Sequence, residues 1–326
     1  MRQRRPIAVP KEGDRMLFVR FSSLGDVLLA LGKAKALKTR FPGLHLTWLT
    51  QAENAELLQM QPFIDDVLPW DIKKGRFTVF PLIGRIRRAS FQFLYSVHAN
   101  DRSALISAFS GIPTRVGFHK NLAFAYDCSP AFANQAWGVS ESAGEGETLF
   151  IPRGKAEELR ERLRGKTDRY LFCAIGASKR FKRWPSECWS AFLEKTSGLG
   201  LTPVLIGNGR EEEQLAAEIA SSPCFEGIDL VGKLSLVDVC VLASLSELAI
   251  GGDTGPIHLA RMTGIPCIGL FAVEDPARYG HRGKNLFPLL SERPYQVYPE
   301  KEPTGSPLSS ISPERAVRLL KTLVGS

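Results

Sequence analysis

No run in this 326-residue chain approaches the ~18 uninterrupted apolar residues of a membrane-spanning helix, and one of the most apolar segments, Leu236 to Leu245, is interrupted at Asp238. A bilayer-crossing segment is not expected. After Arg2, Arg4 and Arg5 come Pro6, Lys11, Glu12, Asp14 and Arg15, which leave no room for the apolar core of a signal peptide, so export is not expected either. The cysteines Cys128, Cys173, Cys188, Cys224, Cys240 and Cys267 form no Cys-x-x-Cys pair and sit mostly in apolar runs. That spacing argues for reduced thiols in a cytosolic protein, with no zinc site and no cysteine nucleophile. Neither half carries Gly-x-Gly-x-x-Gly after its first expected strand, which argues against a nicotinamide dehydrogenase. No zinc finger or other nucleic-acid motif is present, and the basic clusters lack an interleaved pattern of stacking aromatics, so nucleic acid is not an expected partner.

What remains is an ordinary globular composition, 44% hydrophobic and 23% charged, in a chain long enough for two domains. Charge is unevenly placed along it. Residues 1–140 carry 19 Lys+Arg against 10 Asp+Glu, whereas residues 141–326 carry 23 against 24. The first half therefore accounts for the whole net charge of +8, with clusters at Lys33, Lys35, Lys38 and Arg40, at Lys73, Lys74 and Arg76, and at Arg85, Arg87 and Arg88. Such a surface suits a phosphorylated or acidic substrate or an anionic membrane face, although a cluster of this kind is also what a solvated helix face presents.

Hydrophobic periodicity alternates between strand and helix throughout. Met16 to Phe21 reads as a strand, followed by a turn at Ser22 to Asp26 and a helix carrying Val27, Leu28, Leu31, Ala34 and Leu37. Arg40-Phe41-Pro42-Gly43 stops that helix, and His45 to Leu49 is the next strand. Helices are expected near Ala52 to Met60, Ile83 to Ala89 and Lys155 to Arg164, with strands at Val67-Leu68 and Phe91 to Val97. A domain boundary is expected at Lys166-Thr167-Asp168. The pattern then restarts, with strands at Tyr170 to Ile175, Thr202 to Ile206, Leu230-Val231, Leu248 to Ile250 and Pro266 to Leu270. Helices between them begin near Ser186, Glu211, Leu236 and His258, and a last one starts at Ser312-Pro313-Glu314. Alternation of this kind predicts an α/β protein with two doubly wound parallel sheets, and ligands in such folds gather at the carboxyl ends of the strands. The expected division is 1–165, 166–305, and a C-terminal helix in 306–326 that crosses back to the first lobe.

Ser22-Ser23-Leu24-Gly25-Asp26-Val27, then Gly176-Ala177-Ser178 with Lys182 and Trp184-Pro185, then Gly251-Gly252-Asp253-Thr254-Gly255-Pro256-Ile257-His258-Leu259-Ala260 together resemble glycosyltransferase family 9. Asp101-Arg102-Ser103-Ala104 and Arg115-Val116-Gly117-Phe118 resemble the family's first-lobe pattern. The likeness runs from about Leu17 to Phe271, and it departs at Ala272, where family members often have Gly, and in the lack of a Cys-rich tail. The resemblance implies the GT-B fold, two Rossmann-like lobes with a cleft between them. It also implies an inverting transfer of heptose from ADP-heptose to the Kdo/heptose inner core of lipopolysaccharide. Tyr279-Gly280 and Gly283-Lys284-Asn285 look like the members that add heptose to the Kdo sugar of a lipid A precursor.

Each motif has a chemical and a bland reading. Asp26, at the start of a helix, is by position a helix cap; the resemblance makes it the general base for the acceptor hydroxyl. Lys182 is one cation of a basic loop, or with Ser178 a contact for donor phosphate or ribose. Gly252 to Gly255 open a helix whose N-terminus favours diphosphate oxygens at Thr254 and Gly255; Asp253 would orient a sugar hydroxyl or the turn, and His258 would hydrogen-bond structurally or touch the donor. Glu211 resembles the family's ribose-binding acid and equally suits a helix first turn. The resemblance puts acceptor contacts at Ser23, Gly25, Arg102 and Lys120. No Asp-x-Asp metal clamp occurs, so no essential metal or other cofactor is expected, Lys182 and helix dipoles supplying the electrostatics. The expected partners are the nucleotide sugar and an anionic lipid A-core acceptor, met by a cytoplasmic protein peripheral to the inner membrane. Competing readings are a nucleotide-sugar epimerase or another nucleotide-sugar transferase on the same fold, and a non-catalytic glycolipid- or nucleotide-binding protein.

Overall fold

Runs such as Met16-Leu17-Phe18-Val19 and Leu171-Phe172-Cys173-Ala174 have no polar side to show to water, and both are buried on both faces, as inner strands of parallel sheets are. The computed structural model describes residues 7–140, 148–163, 169–273, 276 and 285–325. The chain forms two units, Met1–Glu147 and Thr148–Ser326.

The first unit alternates β1 (Arg15–Val19), α1 (Leu24–Arg40), β2 (His45–Gln51), α2 (Ala55–Gln59), β3 (Asp66–Trp70), α3 (Val79–Arg88), β4 (Phe93–Ser96), α4 (Asp101–Phe109), β5 (Thr114–Val116) and α5 (Pro130–Trp137). Its five parallel strands lie in the order β3-β2-β1-β4-β5, with Leu17 opposite Thr47 on one side and Leu94 on the other. One face packs Leu17, Val19, Leu49 and Leu94 against Leu82 and Ile86 of α3 and Ala104 and Ile106 of α4. On another side of the strands, Phe18 stacks against Tyr95 at 5.7 Å and tilts over Trp48 at 4.5 Å, while Tyr95 lies 6.2 Å from Trp137 of α5.

The second unit runs α6 (Arg153–Arg162), β6 (Tyr170–Ala174), α7 (Ser186–Thr196), β7 (Thr202–Ile206), α8 (Arg210–Ala220), β8 (Ile228–Asp229), α9 (Leu236–Leu245), β9 (Ser246–Gly252), α10 (Gly255–Met262), β10 (Cys267–Val273), β11 (Leu286–Tyr295) and α11 (Pro313–Val324). Its sheet is ordered β11-β10-β9-β6-β7-β8, again parallel. The reversal between β6 running to β7 and β9 running to β10 places the turns after β6, β7 and β9 side by side.

Several boundaries differ from the sequence reading. α3 begins at Val79 rather than Ile83, because Pro81 is tolerated in a helix's first turn. α10 begins at Gly255 rather than His258, and β8 lies at Ile228–Asp229, ahead of Leu230-Val231. α4, β5, α5 and β11 carried no expectation. The division falls at 147/148 and not at 165/166: the Leu149 N–H donates to the Met262 carbonyl at 2.7 Å, and Arg162 of α6 pairs with Asp238 of α9 at 3.3 Å. The boundary segment Lys166-Thr167-Asp168 lies outside the described residues. The C-terminal helix packs on the second unit, where Ala316, Val317 and Leu320 join the core of β6, β9 and β10 and Glu314 pairs with Lys195 at 3.2 Å. An amphipathic helix stays where its apolar stripe is buried, and this one buries its stripe on α7 and the sheet beside it.

Candidate active site

In the first unit the ends of β1, β4 and β5 carry the polar groups. Ser23 is the N-cap of α1, and Asp26 is its third residue, so the carboxylate reaches back to the Ser23 N–H at 3.1 Å. Asp26 is therefore the reciprocal partner of the cap and not the cap itself. The Ser23 hydroxyl donates to the same oxygen, Oδ2, at 2.9 Å, and Arg20 Nη2 lies 2.6 Å from it. Among the described residues Oδ1 has no hydrogen-bond partner, and the side chain is 46% exposed. Burial raises the Asp26 pKa, but the Arg20 guanidinium and the two Ser23 donors outweigh it, and the carboxyl titrates below its ordinary value. Gly25, second in the helix, is half-buried beside it.

Arg20 was not anticipated, nor was His98. Arg20 Nη1 donates to the Val97 carbonyl at 3.0 Å, which ties the end of β1 to the end of β4. His98 stacks on Phe21 with centroids 4.1 Å apart. Asn100 Oδ1 accepts from the Ser103 N–H at 2.9 Å, so its amide nitrogen faces His98 Nε2 at 2.9 Å, while the Phe21 N–H points at His98 Nδ1 at 3.5 Å, so both ring nitrogens meet donors. Burial and the Arg20 charge push the His98 pKa down to about 4, against the opposing pull of Asp26. Asn100 caps α4, and on the next residue Asp101 Oδ1 lies 3.0 Å from His119 Nε2, while His119 Nδ1 accepts from the Asn121 and Leu122 N–H groups. Arg102 and Lys120 are both exposed, and each is adjacent in sequence to one of the bonded partners. A signal for these residues existed in the sequence: Arg20 and His98 are polar groups that close otherwise apolar strands.

In the second unit three turns converge. Lys182 follows β6, and its ammonium donates to the Asp253 carbonyl at 3.0 Å, to Asp253 Oδ2 at 2.8 Å and to the Tyr298 hydroxyl at 2.7 Å. All three ammonium protons are used. The Tyr298 hydroxyl donates to Asp253 Oδ2, and His258 Nε2 lies 3.2 Å from Asp253 Oδ1. Asp253 is only 8% exposed, so the carboxylate is held almost wholly by these groups. Gly252 is required here, since a Cβ on it would meet the Lys182 carbonyl oxygen. Thr254 is the N-cap of α10, and among the described residues its buried hydroxyl oxygen has no hydrogen-bond partner; Gly255 opens the helix behind it.

The turn after β7 joins the same group through Arg183. Its Nε donates to the Ala177 carbonyl at 2.8 Å, and its guanidinium pairs with Glu211. Glu211, expected to face a ligand, is 53% exposed and also lies 3.9 Å from Arg180; the Arg183 hydrogen bond and charge hold its pKa below the ordinary value. The buried acid is its neighbour Glu212, which accepts from the Asn208 N–H at 2.5 Å and fills the place a side chain at Gly176 would take. Ser178 is exposed in the turn after β6.

Among the described residues no group of three or more His, Cys, Asp or Glu side chains is assembled as a metal site. Burial pushes the Cys240 and Cys267 thiols up to about 12 and raises Cys173 as well, which leaves those three protonated and unreactive. Tyr279-Gly280 and Gly283-Lys284 lie outside the described residues.

These turns can be compared with known proteins. Over residues 128–304, more than half of the chain, the sequence matches the family described as glycosyltransferase family 9 (heptosyltransferase). The chain is 24% identical over 302 residues to lipopolysaccharide heptosyltransferase 1 of Salmonella typhimurium, covering 85% of this chain and 94% of that protein. Among solved structures, a family 9 glycosyl transferase from Veillonella parvula superposes with a TM-score of 0.86 at 21% identity, covering 97% of this chain and 99% of that one. The Escherichia coli heptosyltransferase WaaC with ADP-2-deoxy-2-fluoro heptose superposes with a TM-score of 0.70 at 18% identity, covering 94% and 99%. With two parallel α/β lobes of the GT-B type and these matches, the chain belongs to glycosyltransferase family 9.

Proposed function

We propose that this glycosyltransferase transfers heptose, with inversion, from ADP-L-glycero-D-manno-heptose to the Kdo/heptose inner core of lipopolysaccharide, without a divalent metal, at the cytoplasmic face of the inner membrane. The observation that carries this reading is the Asp26 carboxylate. Oδ2 is pinned by Arg20 and Ser23 and Oδ1 has no partner among the described residues, so an ionised base is held in fixed orientation with an oxygen that can accept from an incoming hydroxyl. In the proposed step that hydroxyl oxygen bonds to the anomeric carbon as its proton passes to Asp26, and the bond from the anomeric carbon to the diphosphate breaks, releasing ADP. Ser23 and Gly25 lie against the base, and Arg102 and Lys120 take the acidic groups of the acceptor.

The donor belongs to the second unit. The buried hydroxyl of Thr254, the amino end of α10 at Gly255 and the Lys182 ammonium suit diphosphate oxygens, and Glu211 and Ser178 at the exposed rim suit the ribose and its phosphate. Because Lys182 has no proton to spare, phosphate reaches it by exchange with one of its present partners, with Asp253 and His258 then rearranging around the sugar. The names of the relatives support the donor and acceptor classes: one is a lipopolysaccharide heptosyltransferase, and another was solved with an ADP-heptose analogue.

The test is transfer followed by mass spectrometry, from a panel of nucleotide sugars onto lipid A cores of increasing length, with and without a chelator. Heptose added from ADP-heptose to an inner-core acceptor, undiminished by the chelator, is the expected result. Donor consumed with no acceptor modified would make the protein an epimerase, and binding without turnover would make it a non-catalytic binding protein. Activity abolished by the chelator and restored by magnesium would overturn the metal-free site.

A further inference from the structure

From Ile72 to Asn100 the sequence has six Lys and Arg and not one Asp or Glu. α3 lies in this stretch, and its packing is already satisfied: Leu82 and Ile86 are buried against the first sheet, with Val79 beside them. Phe77, just ahead of the helix, and Phe80, in its first turn, do not join that core. They are 74% and 66% exposed, and their rings stack on one another at 6.5 Å. The helical repeat puts Phe80, Arg87 and Arg88 on the outward side, at i, i+7 and i+8, with Arg85 exposed next to them. Arg87 donates to the backbone carbonyl of Phe109, itself 54% exposed at the end of α4.

A helix turned only toward water has no use for two adjacent phenyl rings, and their pairing with Arg85, Arg87 and Arg88, which have no acidic partner among the described residues, is the composition of a segment that lies in a membrane interface. We propose that the outer face of α3 seats the protein on an anionic lipid bilayer, with Phe77 and Phe80 entering the headgroup region and Arg85, Arg87 and Arg88 meeting lipid phosphates. The inference rests on the reading that the acceptor is a membrane glycolipid, and it adds the surface by which the enzyme reaches it. Rings stacked on each other, with an interplanar angle of 21°, offer edges more than free faces, which favours insertion over stacking on nucleic-acid bases.

The experiment is flotation of the full chain with acceptor-free vesicles of phosphatidylcholine alone or mixed with phosphatidylglycerol. The wild type is expected to float with the anionic vesicles only. Arg85→Gln with Arg88→Gln should weaken partitioning about 25-fold, at about fivefold per cation. Phe77→Ser with Phe80→Ser should weaken it by at least ~10-fold, from the apolar area lost. Emission of Phe80→Trp should shift to the blue on the same vesicles, and both double variants should keep wild-type turnover on a soluble, acyl-free acceptor. A wild type that ignores anionic vesicles, double variants that float as it does, or tighter binding to a single-stranded oligonucleotide would overturn the docking surface. Vesicle binding together with no transfer to any lipid A core would leave the surface standing and remove the proposed acceptor; transfer without vesicle binding would do the reverse.

Discussion

Each unit carries an aspartate in the turn region that follows a strand, and each aspartate is paired with a cation. Asp26 of the first unit is 46% exposed, has one oxygen free among the described residues and leans on a single arginine. Asp253 of the second is 8% exposed and is held by Lys182, Tyr298 and His258 together. One carboxylate is oriented and left available; the other is enclosed and fastens loops to one another, since Tyr298 belongs to the segment after β11. The same pairing of charges thus orients an exposed carboxylate in one place and fastens loops in the other, and the difference lies in how many donors close around the oxygens.

The largest expected effect falls on the open carboxylate. Asp26→Asn should lower transfer at least ~100-fold while ADP binding by calorimetry stays as in the wild type; unchanged turnover would remove Asp26 from its role. Next comes the enclosed one. Lys182→Ala strands the Asp253 carboxylate, and a stability loss of about 3 kcal/mol in denaturant melts is expected, together with weaker ADP binding. Equal ADP affinity in the variant would refute the phosphate assignment, and an unchanged melt would show that the ion pair is not structural.

Arg20→Met should cost less, about 1 kcal/mol, because its partner is half exposed and solvent screens the pair. Its signature is in pH dependence. Arg20 holds the Asp26 carboxyl below its ordinary value, the proposed step requires the ionised form, and the acid limb of the rate profile should therefore move to higher pH in the variant. A limb that stays in place would mean that another group titrates. The remaining prediction concerns His98. Its pKa is lowered to about 4, so between about 6.5 and 4 the unfolded chain binds a proton that the folded chain refuses. Stability should fall as the pH drops through that window, and His98→Gln should flatten the fall; identical pH-stability curves would count against a buried neutral ring.

Much of this was legible in the sequence. Parallel inner strands declare themselves as unbroken apolar runs, and the glycine and aspartate turns mark their ends, which is why Asp26 and Lys182 could be named. Which of three consecutive glutamates turns inward could not: helix phase makes it Glu212 and leaves Glu211 at the surface, and that phase is set by where α8 starts. Tyr298 joins Lys182 across 116 residues of chain, with no local pattern to announce it. β11 carries Pro288 and Pro294 and so reads as a loop, yet an edge strand has unpaired positions where proline does no harm. The exposed pair Phe77 and Phe80 lies between two basic clusters and passes in sequence for ordinary helix hydrophobics.

Glu212 and Gly176 occupy one volume between them: the carboxylate stands where a methyl group at 176 would have to go. Anyone recombining these turns between relatives to alter donor preference has to treat the two positions as a single choice, because a larger residue at 176 becomes tolerable only when the acid opposite is shortened. Shuffling either turn alone would produce misfits that report on crowding and say nothing about the sugar.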